Sequence, residues 1–143
     1  VLKRIRPGVT TKAIIEGAAL DMEAVLRRTR FSKPIYEQAA RKMVTTSGGT
    51  LSHPVGMAVH DDGPYNRDVL KPGHVFSIDP QLWVPEENLY LRYEDVIVIT
   101  ASGYENFTDF LPVELNDLEK LVGQGGIASR VQPAPEKDLI KPR

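Results

Sequence analysis

The chain predicts an α+β fold, with helices gathered on one face of a mainly antiparallel sheet. Apolar residues recur at three- and four-residue steps in the first third of the chain. Short runs rich in Val, Ile, Leu and aromatics fill the middle. Helices therefore come first and turn-linked strands follow, the order of an α+β domain.

Leu2–Arg6 reads as the tail of a helix broken by Pro7-Gly8. Thr10 or Thr11 can cap a second helix running to about Arg30, with Ile15, Ala18, Ala19, Met22, Val25 and Leu26 as its buried stripe. Arg27-Arg28 then fall at its C-terminus, where cations favour the helix dipole. Ser32 and Pro34 open a third helix to about Val44, with Ile35, Tyr36, Ala39, Ala40 and Met43 on its apolar face. Ser47-Gly48-Gly49 is a break. Residues 55–60, 74–79, 81–84 and 89–100 read as strands. Leu70-Lys71-Pro72-Gly73 is a turn, and Ala101-Ser102-Gly103 a hairpin turn before Tyr104–Phe107. Asn116-Asp117-Leu118-Glu119 reads as a capping box opening a last helix to about Val122, ended by Gly123-Gln124-Gly125-Gly126. Residues 127–143, with three Pro and mixed charges, read as a partly disordered tail.

With 143 residues the chain can bury one real core. Its 18 Lys+Arg nearly balance 19 Asp+Glu, and no basic stripe offers a nucleic-acid footprint. Without Cys it has no disulfide, thiolate ligand or thiol nucleophile. No apolar run reaches the ~18 residues a membrane span needs. The chain opens at Val1 with no signal-peptide pattern and is expected to begin inside a longer gene product. Nothing fixes its compartment; a cytoplasmic one is favoured.

Chemistry concentrates in a few polar residues set among apolar ones: His53, His60, Asp79, Arg92, Glu94 and Asp95. A buried carboxylate is costly unless something positive meets it. A His nitrogen and several carboxylate oxygens converging is one way to build a metal site. Each residue also has a plainer role. His53 could be satisfied by a backbone carbonyl, and His60 could be a surface histidine pairing with Asp61 or Asp62. Asp79 could end its strand in an Asx-Pro turn. Arg92 and Glu94, two apart, share a strand face and could form a simple ion pair. Asp95 points the other way and reads as a solvent-facing or supporting carboxylate; His74 reads as surface. Ser47, Thr50 and Ser52 lie near His53, but there is no G-x-S-x-G elbow.

The segments SHPVGMAVHDDG, LKPGHVFSIDPQLWVPEENLYLRYEDVIVIT and GYENFT resemble the C-terminal half of the pita-bread metallopeptidases, and within them most look like Xaa-Pro aminopeptidases and Xaa-Pro dipeptidases. The resemblance covers residues 1–122, leaving 123–143 as a tail. It implies the pita-bread fold, helices on a curved, mainly antiparallel sheet, and two divalent metal ions held by Asp, Asp, His, Glu and Glu. It places the His ligand at His53, the ligand of the acid-Pro segment at Asp79 and the bridging Glu at Glu94. His60 matches a histidine that contacts substrate and developing charge, and Arg92 one that supports the metal-bridging strand. Asp79 would also act as the catalytic base. The chain departs from the family in three ways: it has no Asp pair before residue 20, Asp79 stands where Glu is usual, and Gly49 stands where many Xaa-Pro enzymes have His.

The implied reaction is metal-dependent removal of the N-terminal residue from peptides with proline in second position. Oxygen-rich donors favour Mn(II), with Co(II) or Zn(II) possible. With three of five ligands, the chain alone is expected to bind metal weakly and be inactive. It is also expected to expose apolar surface that a homodimer would cover. The other readings are a non-enzymatic pita-bread module that binds peptides or proteins, another pita-bread hydrolase such as a methionine aminopeptidase or creatinase-like amidinohydrolase, and a small structural domain with incidental acids.

Overall fold

A computed structural model describes residues 1–45, 52–63 and 69–126. The chain divides into two compact units, Val1–Phe110 and the segment from Leu111 onward.

The first unit opens on a single 3₁₀ turn, Leu2–Arg4, in place of the expected helix tail. Pro7-Gly8 ends the entry, and Gly8 takes the left-handed φ of 84° that favours glycine. Helix α1 spans Thr11–Leu26. Thr10 caps it, its Oγ1 accepting from the Ala13 amide at 3.2 Å. It stops at Leu26 rather than near Arg30, where Thr29 Oγ1 donates to the Val25 carbonyl and Arg28 Nε to that of Ala24. Ile14, Ala18 and Leu26 carry its buried stripe; Val25 lies on the exposed side and Ile14 replaces it. Helix α2 spans Pro34–Thr45, Pro34 supplying the first-turn proline.

Strands β1 (Val75–Ile78), β4 (Asp95–Ile99) and β5 (Tyr104–Asn106) form an antiparallel sheet in the order β1-β4-β5. Phe76 faces Ile97 and Ile78 faces Asp95 across the β1–β4 ladder. Phe76, Ile78, Ile97 and Ile99 join Ile5, Ile14 and Leu70 in the core. A second antiparallel pair, β2 (Gln81–Val84) and β3 (Leu89–Arg92), turns through a 3₁₀ segment at Pro85–Glu87 and Asn88 in the left-handed region.

Two strand expectations are corrected. The run 89–100 is two strands, β3 and β4, because its partner breaks too. Pro80 has no amide to extend a ladder, so β1 ends at Ile78 and β2 begins at Gln81. On the facing run, residues 93 and 94 fall in the same gap, where the Tyr93 amide donates to the Pro80 carbonyl at 3.3 Å. Residues 55–60 are a loop. Pairing with the free edge of β1 covers only 53–55, through Ser77 N to His53 O (2.9 Å) and Val55 N to Val75 O (3.2 Å). The chain then folds on itself, Gly56 N donating to Ala58 O and Asp61 N to Pro54 O.

In the second unit, α3 spans Leu115–Val122. Its N-cap is Glu114, which makes no side-chain cap bond, so the capping box at Asn116 is not formed; Asn116 lies inside the helix. The expectations for Ser47–Thr50 and for residues 127–143 fall outside the described residues.

Candidate metal centre

The two strand breaks build the site. Asp79 sits at the β1–β2 break, Glu94 at the β3–β4 break, and His53 on the segment laid along the edge of β1. One ligand atom from each of the three lies within 4.8 Å of the others. Among the described residues, no other group of three His, Cys, Asp or Glu converges in this way.

The His53 side chain keeps 15% of its accessibility. Its Nδ1 donates to the Pro54 carbonyl at 3.1 Å, which leaves Nε2 as the lone-pair nitrogen. Nε2 is buried and has no hydrogen-bond partner. Its nearest acid, Glu94 Oε1 at 3.5 Å, can accept from it only if the ring is protonated. A buried unmet nitrogen costs about 1–3 kcal/mol, and a cation between it and the two carboxylates would remove that cost. The donor set, one imidazole and two carboxylates, therefore fits a divalent metal.

Arg92 bridges the two acids, with Nη2 3.0 Å from Asp79 Oδ2 and 2.8 Å from Glu94 Oε2. Burial works against its charge, but the carboxylates of Glu94 and Asp79 outweigh it and hold Arg92 above the ordinary arginine value. The Arg92–Glu94 pair expected from spacing is present, and Asp79 extends it. Asp79 is no simple Asx-Pro turn: its Oδ2 also accepts from Gln81 Nε2 at 3.0 Å, and Trp83 Nε1 donates to Gln81 Oε1 at 3.3 Å. Sequence reading missed Gln81, although its alternate spacing from Asp79 was the available signal.

His60 is exposed, and its ring lies 4.1 Å centroid to centroid from that of His53, tilted by 45°. The loop after Gly56 thus brings together two histidines whose facing the sequence left open. Of the two readings for Asp95, solvent-facing or supporting, the first is overturned: it is 2% exposed, accepts from Thr108 Oγ1 at 2.6 Å and takes a bond from Tyr93. Gly49 lies outside the described residues. A cavity of about 630 Å³, lined mainly by apolar residues of α1, α2 and β1–β2, reaches Asp79 and Ser52 but not His53 or Glu94.

A histidine, two acids and an arginine gathered where the strands of an α+β fold break make a candidate metal site. Residues 1–101 match the model of metallopeptidase family M24, and the chain belongs to that family. The Xaa-Pro aminopeptidase of Escherichia coli (strain K12) is 38% identical over 93 residues, covering 57% of this chain and 20% of that protein. Proline aminopeptidase P II from Yersinia pestis superposes with a TM-score of 0.61 at 32% identity, covering 84% of this chain and 31% of that one. Zinc-substituted E. coli aminopeptidase P in complex with product superposes with a TM-score of 0.57 at 26% identity, over 92% of this chain and 32% of that one. The fold is thus part of the pita-bread fold of the aminopeptidases P. The chain spans about a fifth of the curated relative and about a third of these solved structures. Among the described residues, no helix is long and apolar enough to cross a membrane.

Proposed function

We propose that this chain supplies His53, Asp79 and Glu94 to the dinuclear metal centre of a peptidase that removes the N-terminal residue from Xaa-Pro peptides. One observation carries the reading: His53 Nε2 is buried without a hydrogen-bond partner, 3.5 Å from Glu94 Oε1, in a group where His53, Asp79 and Glu94 each bring a ligand atom within 4.8 Å of the others. Its tautomer is already that of a ligand, set by the Pro54 carbonyl.

His53, Asp79 and Glu94 would hold the divalent metal, whose chemistry there would be to acidify a water and polarise the scissile carbonyl. The side chains do the rest. Glu94 offers one oxygen toward His53 and keeps the other on Arg92. Asp79 accepts from Gln81 and pairs with Arg92 through Oδ2, and its other oxygen would take the proton of the attacking water. Arg92 offsets the two carboxylates and holds their spacing. His60, exposed beside His53, donates to the oxyanion that develops on the substrate. Two acids against one imidazole favour Mn(II), with Zn(II) or Co(II) as substitutes. Exposed Met57, Val59, Trp83 and Leu91 support a homodimer.

The test is release of the N-terminal residue from an Xaa-Pro peptide, with Mn(II) and with chelator. It is run on this chain and on a longer polypeptide carrying the family's upstream Asp-bearing segment. Metal-dependent release by the longer form, abolished by Glu94→Ala, supports the reading. No release with Mn(II), Co(II) or Zn(II) overturns it in favour of a binding module. The chain alone is expected to be inactive, and calorimetry showing two tight metal sites on it would refute that expectation.

A further inference from the structure

We propose that Asp61 is a positioning residue: its carboxylate forms the interior of the Pro54–Asp61 loop and so holds the His60 ring against the ring of His53. The importance of this for catalysis rests on the function proposed above; the placement itself does not.

The loop has no apolar interior. Met57 is fully exposed and Val59 72% exposed, so hydrophobic burial cannot shape it. Its inside is polar instead. Asp61 Oδ1 accepts from the Asp62 amide at 2.9 Å, and Oδ2 from the Ala58 amide at 3.4 Å, with the Met57 amide also directed at the carboxylate. Successive amides converging on one anion form a nest, which fixes the backbone of the residues that contribute them. The bonds from Asp62 and then Ala58 hold the carboxyl below the usual aspartate value, so the charged form is the one the loop favours.

Gly56 completes the arrangement. A Cβ there would collide with Asp61 Oδ2 and lie 3.2 Å from its Cγ, so the carboxylate occupies the space a side chain would need. The loop is also tied to the metal candidate. The Pro54 carbonyl accepts from both the Asp61 amide (3.1 Å) and His53 Nδ1 (3.1 Å). Loop closure and the orientation of the His53 ring thus share one acceptor. His60, between the nest and Asp61, has its direction set by the same residues.

The experiment is nuclear magnetic resonance on the 143-residue chain, reading cross-relaxation between the His53 and His60 ring protons. The rings are 4.1 Å apart, so the wild-type chain shows a cross-peak. Asp61→Ala is expected to abolish it and move the His60 ring protons to unconstrained positions, with the β1 and β4 amide resonances unchanged. Asp61→Asn, which keeps an acceptor oxygen, retains the peak at reduced intensity, and Gly56→Ala abolishes it from the other side. A full-intensity peak in both Asp61→Ala and Gly56→Ala overturns the proposal. So does collapse of the β1 and β4 resonances in Asp61→Ala, which would give Asp61 a general structural role. Zinc(II) added to the wild-type chain tests the metal reading separately. A ring cross-peak with no zinc-induced change at His53 would defeat that reading and leave this one standing.

Discussion

Glu94 and Asp95 are neighbours in sequence and opposites in setting. Asp95 lies on the core face of β4, 2% exposed, and is met by Thr108 Oγ1 at 2.6 Å and by Tyr93. Thr108 in turn contacts Asn106 Oδ1 at 2.9 Å, so this polar network closes within the strands it joins. Glu94 sits in the gap between β3 and β4, half exposed, with Arg92 on one oxygen and an unmet His53 nitrogen 3.5 Å from the other. Burial alone would pick Asp95 as the unusual acid. The state of the partners picks Glu94. A buried acid whose bonds are all made is structure; a partly buried one facing an unmet donor atom is a place for a ligand.

Changes to the shared scaffold should have the largest effect and abolish the contrast. Phe76 is fully buried and faces Ile97 across the β1–β4 ladder that carries Asp95. Phe76→Ala is expected to cost about 3–5 kcal/mol, read as a lower urea midpoint, and to remove metal binding with the fold.

The next two substitutions separate the acids. Asp95→Ala takes from the half-buried Thr108 hydroxyl its shortest bond, leaving it Asn106 and the Val96 amide, and should cost about 1–3 kcal/mol of stability. Metal affinity should stay within twofold, because Asp95 does not face the His53 group. His53→Ala should do the reverse. It removes the unmet Nε2 together with the Nδ1 bond to the Pro54 carbonyl, and because relief of the first offsets loss of the second, stability should shift by about 1 kcal/mol or less. Binding of Mn(II) or Zn(II) by calorimetry should weaken tenfold or more. If Asp95→Ala costs affinity and His53→Ala costs stability, the division between structural and ligand-facing acids is wrong.

The residue types of the site were legible in the sequence and its geometry was not. His53, Asp79 and Glu94 stand out because each interrupts an apolar segment. What brings them together is the pair of strand breaks, and that is a property of pairing. Pro80 is visible as a residue without an amide, but its effect on the facing strand at Tyr93–Glu94 depends on register, which local pattern does not contain. The same limit explains residues 55–60. Their apolar alternation reads as a strand, yet a carboxylate within the loop competes successfully for the amides a ladder would use. Asp95 stayed open between solvent and support because alternation assigns faces but not which face is solvent. Helix α1 came out nearly as expected because a cap and a 3.6-residue stripe are both local.

The smallest effect comes from a third carboxylate, which combines the made bonds of Asp95 with an exposed setting like that of Glu94. Glu87 accepts from Lys33 Nζ at 2.6 Å and Tyr36 OH at 2.5 Å, tying the start of α2 to the β2–β3 turn. Lys33, and then Tyr36, holds its carboxyl below the ordinary glutamate value. The folded value thus lies below the unfolded one of about 4.3. The stabilisation is therefore fully present above the unfolded value and is lost as pH falls through the folded one. Glu87→Gln should lower the urea midpoint slightly at pH 7, and the two curves should converge under acid conditions. Because Glu23 is also held low, by Arg27, only the wild-type-minus-variant difference isolates Glu87. A difference independent of pH would mean that Tyr36, as a neutral donor, carries the contact, and that charge there is incidental. A difference as large as that of Asp95→Ala would mean that made bonds matter regardless of exposure, against the expectation that solvent screens such pairs.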